Sequence, residues 1–466
     1  MLKRFVLAST IGLSCAFAGN EVSQPQQISN DALPWWQWDH MTGDWFGVRT
    51  SLADKGVEFN AGYTAEVWGN TTGGLKQGAV YTGLLDFGTT IDLDKLVGWE
   101  GASISTTWLW LSGRDASEDL TGNFLTVSNI AGFNTFRMLE LWFQQNLFDD
   151  TLSIRLGQLT ADSEFIISDY GSFFINGTFG WPAFAYTNLP EGGPGYPMGT
   201  LGVRVAYTPV EWLTVQSAVF QGNVFAQDVN RHGFKWDLGS NNGYFWINEG
   251  QVRWNQSDDT LALPGQAKLG AWFQTANTSD PYYDEDGIPL ADDGSSGNPR
   301  LRNWNFSIYG IVDQMLYREP AEEVLSAGLN KDGKSFAGKS TAKTTLKPSQ
   351  QGLGWFGRIA FEPQDSNFVG FYFDTGLVYT GLIPTRDEDR IGVGFGYAQL
   401  TRGAARNLEE SGSTGVGAEM VVEFSYEAVI TPWLTIQPDA QLIINPGGTQ
   451  DLNNAFVIGG RASITF

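Results

Sequence analysis

The sequence predicts an all-β protein: a transmembrane antiparallel β-barrel of about 16 strands, with a short N-terminal helix. Three observations carry this reading. The chain closes on a segment in which Phe456, Ile458, Ala462, Ile464 and Phe466 share one face, while Arg461, Ser463 and Thr465 share the other. That is the two-residue period of a strand with one oily and one wet side. The same alternation recurs along the chain. Aromatic residues make up 14% of the sequence and glycines number 57. Such a composition suits a barrel that places aromatic girdles at both membrane interfaces. No run of eighteen apolar residues offers a transmembrane helix.

The elements follow in order. Met1-Leu2-Lys3-Arg4 is a basic start, Phe5 to Phe17 is apolar or small, and Ala16-Phe17-Ala18 gives a small-x-small cleavage pattern. Residues 1–18 are therefore expected to be a secretory signal peptide. Gly12-Leu13-Ser14 fits a lipidation site poorly at Cys15. This is the sole cysteine, so the expected mature chain carries neither disulfide nor cysteine metal site. Residues 19–56 read as a periplasmic segment, with a helix from Trp45 to Lys55 capped by Asp44 and ended by Gly56. The barrel domain then spans 57–466. Period-two segments place strands near 57–70, 79–93, 102–112, 134–147, 152–160, 200–208, 212–222, 245–254, 266–275, 303–317, 354–362, 367–379, 390–400, 417–429, 433–444 and 455–466. In barrels of this kind the last strand closes the cylinder, and an aromatic C terminus such as Phe466 is the signal read by the assembly machinery.

Tight joins such as Phe148-Asp149-Asp150 and Thr431-Pro432 alternate with long ones at 161–199, 223–244, 276–302 and 401–416, the asymmetry expected of outer-membrane barrels. One region resists. Parity puts the long 318–352 join on the periplasmic side and the short 363–366 join outside. The expectation is that one strand between 260 and 390 is miscounted, or that a long segment there folds back into the barrel.

Sorting the faces puts Phe59, Tyr63, Val67, Leu139, Leu141, Val203, Ile359 and Phe424 toward lipid. Glu66, Glu140, Trp142, Arg155, Arg204, Glu249, Arg253 and Arg358 turn toward a wet interior. An arginine on the lipid side at mid-membrane would cost about 2–4 kcal/mol. The inward set mixes Arg, Glu, Gln and Trp, and no lysine was found among the residues sorted. Guanidinium and carboxylate groups hold hydroxyls in fixed geometry, and a Trp face accepts the C–H side of a sugar ring. The expected substrate contacts are Glu66, Asp86, Glu140, Trp142, Arg155, Arg204, Glu249, Arg253 and Arg358. For any one of them, a wall-stiffening ion pair is the competing role.

Other chemistries are weakly represented. A balance of 28 basic to 51 acidic residues, net −23, argues against nucleic acid. His40 and His232 are the only histidines, and neither lies near a Ser/Asp arrangement. The loop acids Asp284, Glu285, Asp286, Asp292 and Asp293 lack the spacing of a calcium loop. Glu423 and Glu427 stand about 13 Å apart along a strand, beyond the reach of either glycosidase mechanism. No enzyme activity, cofactor or metal is expected.

The run from Trp36 to Arg49 (WQWDHMTGDWFGVR) resembles the start of the OprB-type carbohydrate-selective porins. So do Glu140 to Gln145, Arg155 to Leu159, Ala161 to Phe165, Asp313 to Tyr317, Gly381 to Arg386, Trp433 to Gln441 and Asn445 to Gly448. The resemblance implies a sixteen-stranded barrel in a Gram-negative outer membrane that passes monosaccharides such as glucose by facilitated diffusion. Its partners would be monosaccharides, outer-membrane lipid and lipopolysaccharide, and the assembly machinery, with the barrel a homotrimer or a monomer. Alternatives are a general or cation-preferring porin, motivated by the negative charge, and a soluble secreted carbohydrate-binding β protein. The 276–302 and 318–352 segments are longer than the family suggests, and the second carries Lys331, Lys334, Lys339, Lys343 and Lys347.

Overall fold

The computed structural model describes residues 33–237, 239, 242–257, 261–320, 322–326, 343–347 and 349–466. The expected signal peptide, Cys15 and three of the loop lysines (Lys331, Lys334, Lys339) lie outside the described residues. Numbered through the chain, the strands are β1 (Val57–Thr72), β2 (Gly78–Asp92), β3 (Ala102–Gly113), β4 (Thr135–Leu147), β5 (Leu152–Leu159), β6 (Thr200–Val210) and β7 (Leu213–Gln221). There follow β8 (Tyr244–Trp254), β9 (Gly265–Gln274), β10 (Thr278–Asp284), β11 (Pro299–Arg302), β12 (Asn305–Arg318), β13 (Glu322–Ser326), β14 (Lys343–Lys347) and β15 (Gly352–Phe361). The last are β16 (Val369–Thr380), β17 (Arg390–Leu400), β18 (Ala418–Thr431), β19 (Leu434–Ile444) and β20 (Ala455–Thr465). Two pairs, β10–β11 and β13–β14, are separate hairpins; the other sixteen strands form one closed antiparallel barrel. Closure is the pairing of β1 with β20, from Gly62 opposite Thr465 to Asn70 opposite Val457. A closed sheet leaves no strand edge unpaired, the condition for crossing a bilayer with strands.

The expected helix is shorter than predicted. It runs Val48–Asp54, because Phe46 and Gly47 take positive φ and break the preceding turn. Asp44 still serves its start, accepting from the Thr50 N–H at 2.8 Å. This segment and the C terminus are tied together at one end of the barrel. Arg49 donates to the Phe466 carbonyl (2.8 Å), the Met41 N–H bonds Thr465 (2.8 Å), and Trp35 packs on Trp433.

The strand count stands, so the expected miscount between 260 and 390 is corrected. The 319–351 join lies at the short-turn end, and within it β13 and β14 pair with each other and not with the barrel strands. The 362–368 join is short and lies at the long-loop end, where its neighbours cover it. Asn188 accepts from the Phe368 and Val369 N–H groups (3.1 and 3.0 Å), and Asn367 and Asn305 bond each other.

A second correction concerns Leu139, which alternation placed toward lipid. The pairing of β3 with β4 shifts between Thr107 and Trp108, leaving Leu139 as an extra residue. It is buried with Leu84, Leu109, Leu111 and Ile130. A bulge reverses the facing of everything beyond it. Phe136 therefore faces outward and Arg137 is buried.

The interior is only partly wet. The 160–199 loop folds into the barrel, and Phe173, Phe174, Phe179, Trp181 and Phe184 pack there against the inward faces of Phe356, Tyr309 and Tyr372 in one apolar cluster. Room for it comes from an alternating glycine row on β17. A Cβ on Gly392 would stand 2.7 Å from the Phe173 ring, and one on Gly394 2.8 Å from Phe179. Real side chains do not approach so closely, so the loop can seat only on a wall that lacks them.

Candidate functional site

A polar chain buried inside a barrel needs partners for its backbone, and strand carboxylates supply them. Glu423 accepts from the Ile175 and Asn176 N–H groups (2.6 and 2.9 Å). Glu419 accepts from Leu125 and Phe124 (2.6 and 3.1 Å) in the neighbouring 114–134 loop. Asp313 receives the Ser168 hydroxyl and the Tyr170 N–H (2.6 and 3.2 Å). Lys268 donates to the Ile167 carbonyl at 2.7 Å. An inward lysine thus exists, on β9.

Four of the nine expected contacts do not border the lumen, and three of them take part in this anchoring. Arg358 pairs with Asp374 at 2.5 Å and donates to the carbonyls of Ile166, Thr178 and Gly180 (3.1, 2.8 and 3.1 Å). Glu249 accepts from the Ile166 N–H, the Tyr309 hydroxyl and Gln216 (3.1, 3.0 and 3.2 Å). Glu140 accepts from the N–H and hydroxyl of Thr160 (3.0 and 3.1 Å), fixing the start of the loop. Glu66 joins Arg461 across the closing seam (2.5 Å) and takes the Trp68 indole N–H at 2.8 Å.

The other five, Asp86, Trp142, Arg155, Arg204 and Arg253, border one cavity of about 2990 Å³. Its lining runs from Phe466, Trp433 and His40 at the short-turn end to Asp115, Glu118 and Glu191 at the long-loop end. Register brings the central group together. Gln144 on β4 lies opposite Arg155 on β5, and Arg155 opposite Arg204 on β6. Two guanidiniums side by side repel each other. Glu164, lowered onto the row by the loop, lies between them at 2.9 Å from Arg155 and 2.5 Å from Arg204. Gln144 Oε1 accepts from both arginines (2.9 and 3.0 Å). The Arg155 guanidinium carbon lies over Trp142, 4.0 Å from the ring centre, so that face of the indole is taken by the cation. Burial pushes the Glu164 carboxyl up, but Arg155 and then Arg204 outweigh it and hold the group below the ordinary glutamate range.

Further round the same wall, Arg253 on β8 donates to Gln251 at 2.9 Å, and Gln266 donates to Asp313 at 3.1 Å. The interior therefore presents a row of planar, hydrogen-bonding groups narrowed by a rigid inward loop. Glu164 and Arg461 were absent from the expected set. Glu164 sits in a loop, where no alternation marks an inward face. Arg461 sits on the final strand, whose polar side is legible in the alternation of 456–466.

Comparison with known proteins agrees with this architecture. The family described as "Carbohydrate-selective porin, OprB family" matches residues 76–466. Porin B of Pseudomonas aeruginosa is 25% identical, over 98% of each chain. The high-pH structure of Pseudomonas putida OprB shares the fold, with a TM-score of 0.76 at 24% identity, over 92% of this chain and 99% of that one. The low-pH structure of the same protein aligns with a TM-score of 0.55 at 19% identity, again over 92% and 99%. With its sixteen-stranded barrel, inward loop and polar lumen, the chain belongs to the OprB family of carbohydrate-selective porins, as an integral β-barrel of the outer membrane.

Proposed function

We propose that the barrel passes neutral monosaccharides of glucose size by facilitated diffusion, with no chemical step. The observation that carries this is the Gln144–Arg155–Arg204 row closed by Glu164. It offers donors and acceptors in fixed planes, with Glu164 offsetting one of the two guanidinium charges. Such a surface exchanges hydrogen bonds with hydroxyls without trapping an ion, and a conducting site must release what it binds. Asp86 and Arg253 extend the polar track along the same cavity. Arg358, Glu249 and Glu140 act indirectly, by holding the inward loop, and Glu66 by tying the closing seam to Arg461.

A modest cation preference accompanies this reading, because carboxylates outnumber cationic groups along the lining. Liposome swelling tests the proposal: glucose should enter proteoliposomes faster than an amino acid of similar size. Equal rates would remove the selectivity claim and leave a general pore.

A further inference from the structure

Arg137 stands apart from the other buried arginines. Arg155, Arg204, Arg358 and Arg461 each pair with a carboxylate. Arg137 is fully buried, and among the described residues it has no ion pair. Its Nη1 points at Met198 Sδ (2.7 Å), and its guanidinium lies 5.3 Å from the Phe133 ring. Its Nε and Nη2 atoms have no hydrogen-bond partner. These two donors form one edge of the guanidinium, the edge that grips a carboxylate with two parallel bonds. Buried donors and unpaired buried cations are costly, and a structure that keeps both calls for an explanation.

The surroundings indicate the occupant. Met198 and Phe133, which cover Arg137, themselves line the lumen. Met198 is unbranched and easily repositioned. Asp86 lies on the same cross-strand row, with Leu109 between them: Asp86 opposite Leu109, and Leu109 opposite Arg137. Two strand spacings separate the ends by about 10 Å. Asp86 faces the lumen and, among the described residues, has no ion pair. Leu84 and Leu111 complete an apolar floor. The row thus offers a two-pronged anion grip at one end, a hydroxyl acceptor at the other, and between them an oily floor on which Tyr196 packs.

We propose that Arg137 and Asp86 form a second subsite, for a sugar acid such as an aldonate or uronate. The carboxylate would bind the guanidinium through Nη2, and through Nη1 once Met198 swings off it, and the hydroxylated chain would reach Asp86 past Tyr196. The inference rests on the porin reading but adds to it, since passage of neutral sugars needs no such grip. Block of single-channel current by added solute, in planar bilayers holding the full-length protein, tests it. Gluconate, glucose and propionate are the probes. Half-block by gluconate should need at least about tenfold more solute in Arg137→Gln than in the parent, as loss of a charge-assisted pair implies. Glucose block should be the same in both proteins, and propionate should block neither. Met198→Ala should lower the gluconate concentration needed, an outcome that serves even where Arg137→Gln fails to fold. Unchanged gluconate block in Arg137→Gln would overturn the subsite. So would propionate blocking as well as gluconate, or no effect of Met198→Ala. Arg137-dependent gluconate block without any glucose block would support the subsite while removing the neutral-sugar reading.

Discussion

Replacing Arg358 by alanine is expected to free the 160–199 loop from the wall and raise single-channel conductance. The side chain holds three loop carbonyls and is itself neutralised by Asp374, which also takes the Tyr372 hydroxyl at 2.6 Å. Removing one partner leaves a buried carboxylate and three carbonyls unmatched. Loss of one member of a buried ion pair costs about 3–5 kcal/mol. That cost falls mainly on loop docking, because the sixteen-strand hydrogen-bond ladder does not pass through this side chain. The barrel should remain compact on an unheated gel, while conductance rises and discrimination between glucose and an amino acid falls. Conductance equal to that of the parent would show that the aromatic seat on the glycine row holds the loop unaided.

Glu164→Gln is expected to have the largest effect on selectivity. Glutamine keeps the shape but leaves Arg155 and Arg204 facing each other without a countercharge. Replacing a charge-assisted partner by a neutral one costs about 1.5–3 kcal/mol. The local field at the arginine row also becomes more positive. Reversal potential under a salt gradient should move from the cation side toward the anion side, and glucose swelling should slow. The pH dependence has a defined sign. A carboxyl held below its ordinary value contributes stability that is present above the normal glutamate range and is lost as pH falls through the folded-state value. The network should therefore survive mild acid, and only stronger acid should reproduce the glutamine variant. A reversal potential unaffected by the substitution would remove Glu164 from the selectivity argument.

Much of the barrel was legible because alternation is a consequence of the strand itself. Strand boundaries fall within a few residues of those expected, and charged residues such as Arg155, Arg204 and Arg253 turn inward as sorted. What escaped was whatever breaks the rule that one face is wet. The bulge at Leu139 adds one residue and reverses the facing above it, with no mark in composition. The apolar half of the interior arises because a loop, not water, meets that wall. Two signals for it were present: the inward glycines Gly392, Gly394 and Gly396 on one strand, and Phe173, Phe174 and Phe179 in a connection too oily for solvent. The split of the expected contacts into lumen and anchor follows from the same loop. An inward carboxylate such as Glu249 reads alike in sequence whether it faces sugar or a buried N–H.

The central claim is that sugar passes along the Glu164-bridged arginine row beside the inward loop. A crystal soaked in glucose measures this most directly. Sugar density is predicted within hydrogen-bond distance of Arg155, Arg204 or Glu164. Ordered sugar found only outside the narrowed lumen, or a lumen free of sugar at saturating concentration, would contradict it.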